Sequence, residues 1–153
     1  MTHLPSAGLR ARIALDKHGF RATHSLGQNF LLDDGMLSRL LDETGLGEAD
    51  NVLEIGPGAG VMTALLSERT KMVLAVELDE RLEPVLRDVL SPCDNVRVVF
   101  ADFLKSDVDQ LTRTFFEGEP YRVVANLPYY ITADILTRLT TIDNRPESIA
   151  IMV

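Results

Sequence analysis

A short segment late in the chain combines an amide, a proline and two aromatic rings. Residues 123–130 read Val-Val-Ala-Asn-Leu-Pro-Tyr-Tyr, so an apolar, strand-like run leads directly into them. The Asn126 carboxamide oxygen and the Leu127 carbonyl could accept both N–H bonds of an aryl amine, while Tyr129 stacks on its ring and aligns it for reaction. The candidate catalytic residues are therefore Asn126, Leu127, Pro128 and Tyr129. An ordinary proline turn after a strand is the competing interpretation.

A glycine-rich turn supplies a second candidate site. Residues 54–60 read Glu-Ile-Gly-Pro-Gly-Ala-Gly, a composition that permits a tight turn and close approach of the backbone to a ligand. We predict cofactor contacts at Gly56 and Gly58. A dinucleotide fingerprint requires Gly or Ala where Val61 stands, which disfavours an NAD dehydrogenase. A tight strand–helix connection without a ligand is the competing interpretation.

Acidic residues follow the next two predicted strands. Glu77 closes the second strand, where a carboxylate can accept hydrogen bonds from both ribose hydroxyls, and Asp102 follows the third. The alternatives are a surface carboxylate for Glu77 and a helix N-cap for Asp102. Together with Glu54 they make the expected pocket acidic, and the glycine turn contains no Lys or Arg. This balance favours a cationic cofactor such as S-adenosylmethionine over a pyrophosphate.

Strand-like and helix-like segments alternate from residue 51 onward. Apolar runs predict strands over 51–55, 72–78, 96–100, 121–125 and 148–153. Amphipathic patterns predict helices over 61–69, 80–90, 108–116 and 133–142, and further helices over 6–18 and around Leu37. We expect Thr132 to cap the 133–142 helix, and Asp33 or Asp34 to cap the helix around Leu37. The alternation predicts an α/β fold with a doubly wound, mostly parallel, Rossmann-like sheet.

Length, composition and charge narrow the class of protein. A chain of 153 residues with 46% hydrophobic and 25% charged residues fits one globular domain, with no stretch apolar enough for a membrane span. The net charge is −8, yet residues 1–30 hold four Lys and Arg against one Asp, which predicts a basic arm on an acidic body. One cysteine and no secretory signal predict a cytoplasmic protein, and the three histidines lack metal-ligand spacing.

The last six residues read Ser-Ile-Ala-Ile-Met-Val, like a buried strand without a polar tail. Because a free carboxylate is costly to bury, we expect the chain to be a piece of a longer protein.

Five segments together resemble one known family, the KsgA-type ribosomal RNA adenine dimethyltransferases. They are Ser-Leu-Gly-Gln-Asn-Phe-Leu at 25–31, Val-Leu-Glu-Ile-Gly-Pro-Gly-Ala-Gly at 52–60, Val-Glu-Leu-Asp at 76–79, Ala-Asp-Phe at 101–103 and Asn-Leu-Pro-Tyr-Tyr at 126–130. Their order and spacing are similar to the family's from about residue 20 to the end. The resemblance implies transfer of methyl groups from S-adenosylmethionine to N6 of two adjacent adenines near the 3′ end of small-subunit ribosomal RNA, during ribosome biogenesis.

The resemblance also implies roles for individual residues. The implied cofactor contacts are Asn29, Leu31, Gly56, Gly58, Glu77, Asp102 and Asn126. The target adenine would be held by Asn126, Leu127, Pro128 and Tyr129. Residues 28–30 would cover the cofactor, and Phe30 would pack on the target base. Family members often carry lysines where residues 22–25 read Ala-Thr-His-Ser, so we expect Arg21 to supply part of the contact with RNA phosphates.

The expected domain organisation follows from the same resemblance. Residues 1–30 would form the basic arm and the cofactor-covering segment, and residues 31–153 a truncated methyltransferase core. The family's two further strands and its small helical C-terminal domain have no counterpart in these 153 residues. We therefore expect a monomeric enzyme that is poorly active in this form and that acts on an immature small ribosomal subunit without a metal.

Three other functions remain open at this stage. A ribosome-assembly factor whose binding role outweighs catalysis would use the same residues. The macrolide-resistance enzymes that methylate large-subunit ribosomal RNA share the core, but tend to have Ile at the place of Leu127 and Asn at that of Tyr130. Other amino-methyltransferases, which act on DNA or protein amides, would share Asn-x-Pro-Tyr but not the segment at 25–31.

Overall fold

The computed structural model describes residues 3–21 and 30–153. This part of the chain contains one parallel sheet with the strand order β3-β2-β1-β4-β5. The strands are β1 Asn51–Ile55, β2 Met72–Glu77, β3 Val96–Phe100, β4 Arg122–Asn126 and β5 Ile149–Met152. The five predicted strands are confirmed, and their ends differ from the prediction by at most one residue.

Six α-helices connect and precede the strands in the described part. They are α1 Ala7–Lys17, α2 Asp34–Asp42, α3 Val61–Arg69, α4 Glu83–Leu90, α5 Val108–Phe115 and α6 Tyr129–Thr141. Short 3-10 turns at Glu80–Leu82 and Phe103–Lys105 lead into the α4 and α5 regions. Asp33 caps α2 as predicted, because its side chain accepts a hydrogen bond from the Met36 N–H at 3.0 Å.

Two hydrophobic clusters cover the two faces of the sheet. Neighbouring residues of a strand point to opposite faces, so Val52 and Val73 pack among α1–α4, whereas Leu53 and Leu74 pack against α5 and α6. β1 is buried along its whole length, while the edge strands β3 and β5 are only partly buried. The structure therefore confirms the predicted doubly wound α/β class.

The beginning of α6 differs from the prediction. The helix begins at Tyr129, and the Thr132 hydroxyl donates to the Pro128 carbonyl at 3.1 Å from inside the first turn. Thr132 is therefore not the N-cap. Pro128 has φ −57° and stands just before the helix, where its fixed φ and missing N–H are tolerated. Tyr129 and Tyr130 thus belong to the first helical turn, directly after the end of β4.

Within residues 3–21 and 30–153, no helix combines the length and the hydrophobicity that crossing a membrane requires.

Helix α6 offers a test of which leucines hold the second cluster together. Leu139 is 0% exposed and Leu136, on the same helix, is 38% exposed. We predict that Leu139→Ala lowers the free energy of unfolding by about 2–5 kcal/mol, because it leaves a cavity in the core, whereas Leu136→Ala costs less than about 1 kcal/mol. Urea unfolding followed by circular dichroism measures both. Equal losses for the two variants would contradict the assignment of Leu139 to the core.

Candidate cofactor and substrate site

A cavity of about 740 Å³ opens at the carboxyl ends of the parallel strands. Such crevices are where open α/β sheets bind ligands. Most of the predicted site residues line it, contributed by the ends of four strands or the turns after them. They are Gly56, Gly58, Glu77, Asp102, Asn126, Leu127, Pro128 and Tyr129. The fold therefore brings together residues that are up to 73 positions apart in the sequence, from Gly56 to Tyr129.

The glycine turn forms the floor of this cavity in a conformation that favours glycine. Gly56, Gly58 and Gly60 have φ values of 74°, 58° and 88°. The Gly56 N–H donates to the Val76 carbonyl at 2.9 Å, which joins the turn to β2. A Cβ atom at Gly60 would lie 2.9 Å from a Leu86 methyl, so this position also needs the missing side chain for packing.

Glu77 fixes the turn from the side of β2. Its side chain is buried, with Oε2 accepting from the Gly58 N–H and Oε1 from the Asp79 N–H, each at 3.0 Å. Burial raises the pKa of Glu77 above its ordinary value; main-chain hydrogen bonds from Asp79, Gly58 and Leu78 oppose the shift, and the Asp79 charge adds to it. The interpretation of Glu77 as a surface carboxylate is wrong. A carboxylate has about four acceptor positions, so part of its capacity remains for a ligand.

Glu54 belongs to the acidic pocket that the sequence predicts, and the structure shows that it is also fully buried. It lies within β1, is 0% exposed and lines the cavity. Its Oε1 accepts from the Thr63 hydroxyl at 2.5 Å, while its buried Oε2 has no hydrogen-bond partner among the described residues. Burial raises the pKa of Glu54 to about 8, the Thr63 bond lowers it and the nearby Glu77 raises it further. The available signal was a lone carboxylate inside an otherwise apolar strand.

Asp102 is an N-cap, one of the two roles that the sequence presents as alternatives, and it also lines the cavity. Its Oδ1 accepts from the Leu104 N–H at 3.0 Å, which makes it the N-cap of the 3-10 turn after β3. The same half-buried side chain lines the cavity. The cap occupies one carboxylate oxygen, so capping and a contact with a ligand are compatible.

The Asn126–Tyr129 segment stands at the mouth of the cavity. Asn126 ends β4, and within the described residues its carboxamide has no hydrogen-bond partner from the protein. Leu127 is buried, and its N–H donates to the Met152 carbonyl at 3.1 Å, which fixes the segment to β5. Tyr129 is 85% exposed, so its ring is available to stack on a planar ligand.

The residues predicted at the N-terminal side of the site are described only in part. Phe30 and Leu31 line the cavity, and the Phe30 ring lies against Gly58, where an added Cβ would be 3.2 Å from the ring. Asn29 and the rest of the 22–29 segment lie outside the described residues. Arg21 is exposed and does not line the cavity.

The ionisable side chains of the cavity wall are all acidic. Glu77 and Asp102 line it together with Glu54, whose raised pKa keeps it uncharged near neutral pH, and no Lys, Arg or His from the described ranges lines it. These same ranges contain no group of three or more His, Cys, Asp or Glu arranged to hold a metal ion. The wall therefore suits an organic cation with apolar parts, and repels a pyrophosphate.

Comparison with known sequences identifies the family. Residues 19–153 match the family described as Ribosomal RNA adenine dimethylase. The chain belongs to this family. It is 47% identical over 132 residues to the Ribosomal RNA small subunit methyltransferase A of Bacillus licheniformis, a match that covers 86% of this chain and 45% of the relative. The chain thus spans about half the length of the curated relatives it matches. The resemblance stated from the motifs is confirmed.

Solved structures agree with this assignment. The 23S rRNA methyltransferase ErmE is similar with a TM-score of 0.66 and 32% identity, over 82% of this chain and 48% of that one. A dimethyladenosine transferase from Plasmodium falciparum has a TM-score of 0.63 at 22% identity, over 82% of this chain and 42% of that one, which supports the fold alone. Both comparisons confirm the Rossmann-like methyltransferase architecture.

The buried Glu54 makes the stability of the chain depend on pH. The folded chain keeps the Glu54 proton up to about pH 8, whereas the unfolded chain loses it near the ordinary pKa of 4.5. The free energy of unfolding therefore falls as pH rises between these values, by up to about 1.4 kcal/mol per pH unit from this group. We predict that Glu54→Gln, which stays uncharged, flattens this fall.

Urea unfolding at pH 5 and pH 8 measures the effect. Glu68→Gln, which changes an exposed carboxyl on α3, serves as the matched control and should leave the slope unchanged. A Glu54→Gln variant whose stability declines with pH as steeply as that of the unsubstituted chain would contradict the buried, protonated state.

Proposed function

We propose that the protein containing this chain transfers methyl groups from S-adenosylmethionine to N6 of two adjacent adenines near the 3′ end of small-subunit ribosomal RNA. The observation that carries the proposal is the Asn126–Tyr129 segment at the mouth of an acidic cavity, in a member of the ribosomal RNA adenine dimethylase family. The name of the Bacillus licheniformis relative supports the small subunit as the source of the RNA. We further propose that the protein acts in the cytoplasm and as a monomer.

The residues of the cavity fit the proposed cofactor. Its amino and sulfonium groups are cationic, and the buried Glu54 carboxyl group, whose Oε2 has no partner among the described residues, would give up its proton and accept from a bound cation. Glu77 keeps part of its acceptor capacity for the ribose hydroxyls. Asp102 would accept from the adenine amino group, and Gly56 and Gly58 allow the backbone to approach closely. When bound, the cofactor supplies an electrophilic methyl group on sulfur.

The chain's own residues would then orient the target amine. The Asn126 carboxamide oxygen and the Leu127 carbonyl accept the two N–H bonds of the adenine amino group, so that its lone pair points at the methyl group. Tyr129, with its exposed ring, stacks on the base. Asn126, Leu127 and Tyr129 would hold the amine toward the methyl group that the cofactor supplies, and the surplus proton of the amine would leave to water. Most of the rate would come from this alignment, because no Lys or His of the described residues lines the cavity as a base.

A second candidate substrate is large-subunit ribosomal RNA. The similarity to ErmE, which is named a 23S rRNA methyltransferase, favours it. Leu127 and Tyr130 favour the small subunit, since the large-subunit enzymes tend to have Ile and Asn at these places. Incubating the gene product with labelled S-adenosylmethionine and either immature small or immature large subunits separates the two candidates. We expect label on adjacent adenines near the 3′ end of the small-subunit RNA; label confined to the large subunit would overturn the assignment.

The role of Asn126 gives a direct test of the mechanism. We predict that Asn126→Ala lowers kcat at saturating S-adenosylmethionine by about 100-fold or more, because the amine loses its alignment. The matched control is Asn144→Ala, which removes an amide remote from the cavity. Methyl transfer to small subunits by the longest gene product that contains this chain measures both. Undiminished kcat for Asn126→Ala would contradict the assigned role.

A further inference from the structure

Phe20 occupies a fixed position at the end of α1. Gly19 has φ 62°, and its N–H donates to the Asp16 carbonyl at 3.1 Å, while the Phe20 N–H donates to the Leu15 carbonyl at 3.0 Å. This pair of bonds is a Schellman motif, which ends a helix and sets the direction of the residue that follows the glycine. The position of the Phe20 ring is thus determined by α1.

Helix α1 itself is attached firmly to the α/β core. Its alanines at 7, 11 and 14 are buried in the cluster that also contains the apolar face of α4. Asp88 of α4 accepts from Lys17 at 3.2 Å and lies 2.8 Å from the His18 ring. The Gly8 N–H donates to Asp34 of α2 at 2.7 Å. A ring anchored at the end of α1 is therefore anchored to the core.

The Phe20 ring contacts two groups at the edge of the cavity. Its edge-to-face partner is Phe30, with ring centroids 5.5 Å apart and planes at 60°. The Arg81 guanidinium lies over the Phe20 ring, 5.1 Å from its centroid. Phe20 and Phe30, which flank residues 21–29 in the sequence, are thus in contact with each other.

These contacts form a closed circuit, called the contact circuit below, that includes Glu77. Phe30 lies against Gly58, and the Gly58 N–H donates to Glu77. On the other side, Glu77 accepts from the Asp79 N–H, and Asp79 receives two hydrogen bonds from Arg81 at 2.9 and 2.7 Å. Arg81 then returns to Phe20. Phe20 connects the two arms of this contact circuit and, like Asp79 and Arg81, does not line the cavity.

We propose that Phe20 is a positioning residue of the cofactor pocket, which holds Phe30 against the glycine turn and supports the Asp79–Arg81 arm behind Glu77. The assignment rests on the proposed function for the identity of the cofactor. A filler of the hydrophobic core would affect only the stability of the fold. Phe20 is only partly buried, and its ring contacts lead to the cavity wall, which distinguishes it from such a filler.

Cofactor affinity measured on folded protein tests the assignment. Losing the interaction energy of one aromatic pair of this kind corresponds to about a two- to tenfold change in a binding constant. We expect Phe20→Leu to raise the Kd for S-adenosylmethionine by that factor in isothermal titration calorimetry. The matched control is Phe115→Leu, which disrupts a similar edge-to-face pair with Phe116, at 5.1 Å and 80°, away from the cavity. This control should lose stability in urea and keep its Kd.

A double-mutant cycle with Phe30 separates positioning from an independent effect. If Phe20 acts through Phe30, then Phe20→Leu changes the Kd little in a Phe30→Leu background. If the unsubstituted chain binds S-adenosylmethionine and Phe20→Leu leaves the Kd unchanged, the assignment is overturned while the proposed function stands. Equal effects in the two backgrounds would overturn the part of the assignment that runs through Phe30. No binding by the unsubstituted chain would contradict the proposed function, and the assignment with it.

A second variant keeps the test valid if Phe20→Leu does not fold. Gly19→Ala leaves every side chain of the contact circuit unchanged, and the added Cβ would meet nothing within 4 Å. The substitution disfavours the left-handed backbone conformation of residue 19, which directs the chain into Phe20. We expect it to raise the Kd in the same direction. A folded Gly19→Ala chain with unchanged affinity would count against a position set by α1.

Discussion

The hydrogen bond from the Gly58 N–H to the buried Glu77 carboxylate is the interaction on which the site depends. It joins the turn after β1 to the end of β2 at Gly58, the middle one of three glycines in left-handed conformations, while Gly56 is fixed to β2 by its own bond to Val76. An N–H buried without a partner would cost about 1–3 kcal/mol, and the carboxylate supplies that partner. The charge that Glu77 brings into the interior is in turn stabilised by two main-chain donors. Floor and wall of the cavity are thus built before any ligand arrives.

Much of the fold can be predicted from sequence patterns that are clear within a single strand or helix. The strands are predicted to within a residue, because short runs rich in Val, Ile and Leu, with few polar residues inside them, leave few alternatives. The predicted start of α6 is wrong for a physical reason. Proline before two tyrosines is typical of a loop, yet the fixed φ of Pro128 suits the residue before a helix, and the helix begins directly after it with both tyrosines exposed.

The residues of the site can be predicted where they follow parallel strands, because the carboxyl ends of these strands lie at one edge of the sheet. Gly56, Glu77, Asp102 and Asn126 needed only the topology of a parallel sheet to come together. Glu54 is placed in the acidic pocket by the sequence, but its complete burial is visible only in the structure. Phe20 could not be found from the sequence, because its contacts join rings that meet only in three dimensions. The roles of residues 28–29 rest on resemblance, because they lie outside the described residues.

The central position of β1 has a consequence for the order in which the chain assembles during synthesis. Val52 pairs with Val73 on one side and with Arg122 on the other, so one edge of β1 closes early and the other waits for distant sequence. Until β4 leaves the ribosome, a strand buried in the finished fold keeps an open apolar edge, which is prone to pairing with other chains. β4 also carries Asn126. The same event that protects the nascent chain from aggregation therefore completes the reacting end of the site.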